Sequence, residues 1–222
     1  RRQRQMCIRD SSSISNENLP FMGFISATLK GGIPCRIARI SFSGELGFEI
    51  YIQADYANIM MDILWKSAKQ FDGCLYGVEA LGALRIEKGH VTGAELDGRT
   101  TIDDVGLGKM ASDKKSYIGS ALRKRGVLSS SDREKLVGFF PVNKNDTFAS
   151  GTIICEKNNI KGFGVGRITS VTHSPELGHW IGLGFIKGGV EEWKNINVIG
   201  SDPIRNKQIE IQVVSSHMLD PK

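Results

Sequence analysis

Residues 41–50, SFSGELGFEI, decide how the first part of the chain is read. A single carboxylate, Glu45, lies between Gly44 and Gly47, and the chain then alternates, with Phe48, Ile50 and Ile52 to one side and Glu49, Tyr51 and Gln53 to the other. Period-two alternation of this kind marks a half-buried strand. Cys35–Ser41 reads as a second strand ahead of it, so the glycine-flanked turn reads as the bend of a hairpin. The question the stretch raises is why an acid occupies that bend.

Working outward, Asp55 reads as the N-cap of a helix whose apolar face is Ile59, Met60, Ile63, Leu64 and Ala68. Phe71-Asp72-Gly73 ends it. A second helix is predicted over 78–88, with Ala80, Leu81 and Leu84 along one side and Gly89 where a C-cap belongs. Upstream, residues 12–34 read as polar and then loop-like, punctuated by Pro20, Gly23, Gly31, Gly32 and Pro34. Residues 93–110 are rich in glycine and acids and read as a surface excursion; 117–125 reads as a short helix with a basic end.

Composition shifts at Gly126-Val127-Leu128-Ser129-Ser130-Ser131-Asp132, which places a linker at 126–134. Beyond it, Lys135–Pro141, Thr152–Glu156, Phe163–Thr172, Trp180–Ile186, Ile196–Ile199 and Ile209–Val214 are short apolar runs separated by turn signals. That rhythm predicts a small antiparallel barrel or sandwich. The fold class expected is α+β, with a first domain at 15–125 and a β-barrel domain at 135–222.

The 222 residues carry a net charge of +5, with 40% hydrophobic and 24% charged residues, which is ordinary for a soluble globular chain. The basic bias suits an acidic small ligand. Basic residues are scattered, with Arg123-Lys124-Arg125 the one notable cluster, and no basic run is interleaved with aromatics, so nucleic acid is not an expected partner. No apolar run approaches the ~20 residues of a membrane span. Cys7, Cys35, Cys74 and Cys155 show no metal spacing and read as reduced thiols, which points to a cytoplasmic protein. Residues 1–14, opening RRQRQMCIRDS, read as a leader foreign to the fold: a cloning scar, or a disordered native tail. The chain as a whole reads as an internal piece of something longer.

Among the motifs, Gly162-Phe163-Gly164-Val165-Gly166 lacks the full dinucleotide fingerprint and lies in a strand pattern, so a barrel corner explains it better. His90, His173, His179 and His217 have no ligand spacing, and no metal site is expected. In Leu84-Arg85-Ile86-Glu87-Lys88-Gly89, Arg85 sits in an apolar helix end and reads as a buried arginine bonded to carbonyls of the excursion. For Glu45 an exposed turn acid is the ordinary reading. The other is a ligand role, because two coplanar carboxylate oxygens can accept a fork of N–H bonds, such as those on the edge of a pterin ring.

The ordered blocks SFSGELGFEI, YGVEALGALRIEKGHVTGAELDGRTTIDDVGLGKM and KKSYIGSALRKR resemble the folate-binding aminomethyltransferase (glycine-cleavage T-protein) superfamily. EKGHVTGAELDGRTT and VTHSPELGHWIGLGFIKGG are similar to the C-terminal half of the alpha subunits of heterotetrameric sarcosine oxidases, a resemblance covering about residues 15–222. It implies a partial aminomethyltransferase domain followed by the barrel. It implies tetrahydrofolate as cofactor, with NAD and flavins elsewhere in the full enzyme, and beta, gamma and delta subunits as partners. Glu45 aligns with the acid that grips the pterin. Leu81 stands where T-proteins carry an arginine, which favours the oxidase branch, and His90 stands at the cysteine of a thiol-dependent relative. No counterpart of the family's catalytic aspartate is found, so the catalytic residue is expected upstream. Lys114, Lys115 and Arg85 are candidates for a basic mouth facing the folate's acidic tail. The implied reaction moves the one-carbon unit of oxidised sarcosine to tetrahydrofolate. A glycine-cleavage-type aminomethyltransferase and a non-catalytic scaffold stay open beside it.

Overall fold

A computed structural model describes residues 15–29, 31–160 and 162–219; the leader at 1–14, with Cys7, lies outside the described residues. The chain divides into two compact units, Arg1–Leu81 and Gly82–Lys222. The composition shift at 126–134 falls inside the second.

In the first unit, β1 (Phe24–Leu29), β2 (Ile33–Ala38) and β3 (Glu49–Ile52) form an antiparallel sheet in the order β1-β2-β3. Alternation sorts the side chains. Ile25, Ala27 and Leu29, Ile33, Cys35 and Ile37, and Ile50 and Ile52 point to one face. Leu19 and Met60, Ile63 and Leu64 of helix α1 (Ala57–Lys69) close over them. Full burial of a side chain such as Ile37, which is 0% exposed, contributes about 1.5–3 kcal/mol.

Three sequence expectations change here. Residues 24–29 form a strand and not a loop, because Gly23 and Gly31-Gly32 bracket the strand instead of breaking it. Asp55 does not cap α1: a 3-10 turn at Ala54–Tyr56 takes it up, and the N-cap is Tyr56 without a side-chain hydrogen bond. Ile59 is 54% exposed, so the apolar stripe begins at Met60.

Helix α2 (Val78–Glu87) runs through the division between the units. Its buried residues are Arg85, Ile86 and Glu87, all in the last turn, whereas Ala80 is exposed and Leu81 and Leu84 are half-buried. Gly89 ends the helix as expected: at φ +73°, its N–H reaches Ile86 O at 3.0 Å while His90 N–H reaches Arg85 O at 2.9 Å. Those two bonds are the Schellman pair that satisfies the last carbonyls. The helix expected over 117–125 shortens to one turn, α3 (Ser120–Arg123).

All six predicted strands of the second unit are present: β4 (Glu134–Pro141), β5 (Ile153–Cys155), β6 (Gly166–Ser174), β7 (His179–Lys187), β8 (Asn197–Asp202) and β9 (Lys207–Val214). They close into an antiparallel barrel, β4-β7-β6-β5-β8-β9, with the short helix α4 (Val190–Trp193) between β7 and β8. Closure pairs every strand on both sides. The core includes Val137, Phe139, Ile154, Ile168, Ile186, Val198 and Ile211, each no more than 1% exposed. The last glycine of the Gly162–Gly166 motif belongs to this packing: a Cβ on Gly166 would lie 2.3 Å from Phe185 O, and one on Gly184, which pairs with Ile168, would lie 2.1 Å from Arg167 O. Glycine is therefore required by the close approach of β6 and β7.

Candidate functional site

Glu45 lies in the connection between β2 and β3, residues 39–48, which is longer than a tight hairpin turn: Ala38 pairs with Glu49 and the bend occupies 42–46. Gly44 takes φ +79°, a conformation that strains any residue with a Cβ. The space beside Gly47 is filled by the chain itself, since a Cβ there would lie 2.8 Å from Ile40 O. That clearance shapes the bend and is not open to a ring. Glu45 is exposed at the apex.

At the base of the same connection, Arg39 ties it down. Its backbone N–H bonds Gly23 O at 2.9 Å, and its Nη1 donates to Leu19 O at 3.1 Å. Its Nε is buried and has no hydrogen-bond partner among the described residues. An unsatisfied buried donor is unusual, because native structures pair nearly all of them. The sequence reading missed Arg39, and only the basic residue at the strand end signals it. A hollow of about 750 Å³ opens on the outer face of the sheet, walled by residues such as Ser26, Arg36 and Tyr51, with Glu45 outside its wall.

The second unit holds a buried polar cluster around the end of α2. Glu95, 0% exposed, is the centre. Its Oε2 accepts Arg85 Nη1 at 3.0 Å, Thr92 N–H at 2.9 Å and Thr92 Oγ1 at 3.1 Å. Its Oε1 accepts the hydroxyls of Thr169 and Ser170, each at 2.6 Å. Successive strand residues ordinarily point to opposite faces. Here β6 shifts register between Ile168 and Ser170, and the bulge turns both hydroxyls to one carboxylate. Arg85 completes the set by donating to Ser170 Oγ at 2.7 Å and His90 O at 3.2 Å. Burial alone would push the Glu95 carboxyl up, but the hydrogen bonds from Ser170, Thr169 and Thr92 and the Arg85 charge outweigh it and hold the group below its ordinary range.

A second copy of the device lies nine residues on. Asp104 Oδ2 accepts Thr101 N–H at 2.8 Å, Asp104 N–H donates to Thr101 Oγ1 at 3.2 Å, and Arg133 Nε donates to Asp104 Oδ1 at 2.9 Å. Here too burial opposes ionisation and loses to the bonds from Arg133 and Thr101, so the carboxyl titrates low. Each acid follows a threonine by three positions, as in a capping box. That spacing, Thr92-Gly93-Ala94-Glu95 and Thr101-Ile102-Asp103-Asp104, is the signal from which sequence reasoning can find them.

These contacts correct two expectations. The excursion at 93–110 is not simply a surface segment, since Glu95 and Asp104 are buried within it. Arg85 does bond a neighbouring carbonyl, but its main partners are Glu95 and Ser170, which removes it from any basic mouth. Lys114 and Lys115 are exposed and wall a hollow of about 250 Å³ with Tyr117 and Lys124. Cys35, Cys74 and Cys155 are free thiols. Among the described residues, no three His, Cys, Asp or Glu side chains group to hold a metal, and no helix is long and apolar enough to cross a membrane.

The GCVT N-terminal domain family matches residues 5–115, and the glycine cleavage T-protein C-terminal barrel domain matches residues 134–220. The chain belongs to this aminomethyltransferase-type family: a partial N-terminal domain followed by an antiparallel β-barrel. More particularly, it is 38% identical to the sarcosine oxidase subunit alpha of Rhizobium meliloti over 79% of this chain and 18% of that protein. It is 32% identical to the subunit alpha of Corynebacterium sp. (strain U-96) over 97% of this chain and 22% of that protein. An aminomethyltransferase of Halothermothrix orenii is 31% identical over 91% of this chain and 55% of its own length. The fold matches the glycine cleavage system aminomethyltransferase T of Bartonella henselae with a TM-score of 0.75 at 21% identity, over 94% of this chain and 55% of that one. The chain thus spans about a fifth of the sarcosine oxidase subunits and about half of the aminomethyltransferases.

Proposed function

We propose that the chain is the folate-binding part of a sarcosine-oxidase-alpha-type subunit, which passes the one-carbon unit of oxidised sarcosine to tetrahydrofolate. The products are 5,10-methylenetetrahydrofolate and glycine. The observation that carries this reading is the exposed Glu45 carboxylate at the apex of a bend fixed by Gly44 and Gly47, in a chain whose family match covers those residues.

The chemistry of the Glu45 carboxylate suits the edge of the ligand. Glu45 offers two acceptor oxygens to the N–H edge of a pterin, and charge-assisted forks of this kind are about twice as strong as neutral pairs. Arg39, whose buried Nε has no partner among the described residues, holds the base of the same connection through Leu19 O. Tetrahydrofolate, when bound, supplies the nucleophilic nitrogen that accepts the one-carbon unit. Glu45 takes no proton; it orients the ring, and the gain is positional, since holding two reactants together saves translational entropy. Sarcosine oxidation itself belongs to a flavin in a partner beta subunit, with NAD, further flavin and the gamma and delta subunits outside this chain. The setting is the cytoplasm.

Glu45→Ala in the full enzyme is expected to weaken tetrahydrofolate binding about 10- to 100-fold, the loss of one charge-assisted bond or more. Sarcosine oxidation then continues near its normal rate while formaldehyde is released in place of the folate product. Unchanged folate affinity would remove the role. The identity to aminomethyltransferases favours a second reading, transfer from an aminomethyl carrier. Leu81, standing where T-proteins carry an arginine, favours the oxidase. Assaying both donors separates them. A full subunit that gives no thermal shift with folate is a scaffold instead.

A further inference from the structure

A half-closed cavity of about 220 Å³ opens in the barrel unit, and its lining includes neither the Glu45 connection nor the Glu95 and Asp104 clusters. Its lining combines apolar and charged side chains. Phe148, 7% exposed, seats there because Gly182 has no Cβ, which would lie 2.8 Å from the phenyl ring. Trp180, Ala149 and Ile209 extend the apolar wall.

The lining also carries two cations and one acid. Asp202, 8% exposed, accepts Arg205 Nη1 at 2.8 Å as well as the N–H groups of Ile204 and Arg205, so this carboxylate and this guanidinium neutralise each other. Lys207, on an exposed side chain, donates from Nζ to the Thr147 carbonyl at 3.1 Å, a neutral partner that orients the ammonium. The cavity therefore combines two aromatic rings with one net positive charge. Its volume is below the ~300–1,000 Å³ of pockets for drug-sized ligands, which limits the occupant to about one ring.

We propose that this cavity binds a small aromatic monocarboxylate, its ring against Trp180 and Phe148 and its carboxylate on Lys207. An aliphatic acid lacks the stacking surface. A neutral ring forgoes the charge-assisted bond to Lys207, and a larger ligand does not fit. The site is independent of the folate reading, because none of its residues lies in the Glu45 connection.

The probe is benzoate, titrated into the full chain while the indole N–H signals of the three tryptophans are followed by NMR, Trp180 being assigned with Trp180→Phe. Benzoate is expected to move the Trp180 signal with a dissociation constant of about a millimolar, while benzyl alcohol binds about tenfold more weakly and acetate leaves the signal in place. Lys207→Met abolishes the preference for benzoate over benzyl alcohol and Lys207→Arg retains it. Ala149→Leu fills the cavity and removes both ligands with the other two indole signals unmoved, which shows the fold intact. Equal responses to benzoate and benzyl alcohol, or a Trp180 signal that stays still in benzoate, overturn the proposal.

Discussion

The sheet of the first unit and the barrel of the second are built from the same alternating strands, yet they close to different degrees. In the barrel each strand has two hydrogen-bonded neighbours, and the core side chains reach 0–1% exposure. In the sheet only β2 has two neighbours, one face is covered by α1, and the other carries the exposed Phe24 and Tyr51. Polar burial follows the same division. Glu95 and Asp104, sealed with their arginines, are in the second unit, whereas Glu45, the acid proposed to meet the ligand, is exposed in the first. Closure pairs and seals the barrel strands, and the open sheet keeps one exposed face.

If that contrast is right, the heaviest losses come from the barrel core. Phe139→Ala is expected to cost about 3–5 kcal/mol, read as a drop in the urea midpoint of the second unit. Amides of β6 and β7 should exchange with solvent more slowly than those of β1 and β3. Equal protection of the two sheets would break the comparison. Next in size is Arg85→Met, which strands the Glu95 carboxylate. Breaking a buried pair costs about 3–5 kcal/mol, and the lower end is expected because the hydroxyls of Thr92, Thr169 and Ser170 remain. Adding Glu95→Leu should recover much of the loss, since an apolar pair of similar volume needs no solvation.

Why these acids escaped notice while the barrel did not is a matter of range. Each barrel strand announces itself locally, through alternation and turn residues. Glu95 bonds Ser170 across 75 positions, and the bulge at Thr169 that makes this possible has no sequence mark of its own. β1 was hidden for a local reason: Ile25, Ala27 and Leu29 give only three inward positions, crowded by glycines that read as loop. Asp55 reads as a cap because a capping residue and a 3-10 turn residue share one local sequence signature. Of the candidate site, the sequence exposes Glu45 and its glycines, whereas the orphan Nε of Arg39 follows only from packing.

Acid should sharpen the difference between the units by a smaller amount. Glu95 and Asp104 titrate below their ordinary values of 4.5 and 3.8 when folded. The unfolded chain therefore binds their protons first, and the stability they contribute is complete above those ordinary values and is lost as pH falls through the folded ones. The second unit should lose urea resistance over that acid window, and Glu95→Gln should flatten the slope. A first-unit transition that moves as much as the second would mean that the acid sensitivity lies elsewhere.

The smallest effect has the opposite sign. Gly82 sits inside α2, at the first residue of the second unit, and a Cβ built there meets no atom within 4 Å. A glycine in a helix interior costs about 0.5–1 kcal/mol relative to alanine, through the freedom it restores to the unfolded chain. Gly82→Ala should therefore stabilise α2 by that amount, seen as slower amide exchange at Leu84–Glu87, with the barrel amides unchanged. If the variant instead loses stability, the open space beside Gly82 must be filled in solution, and α2 would then have to be counted with the closed half of the molecule.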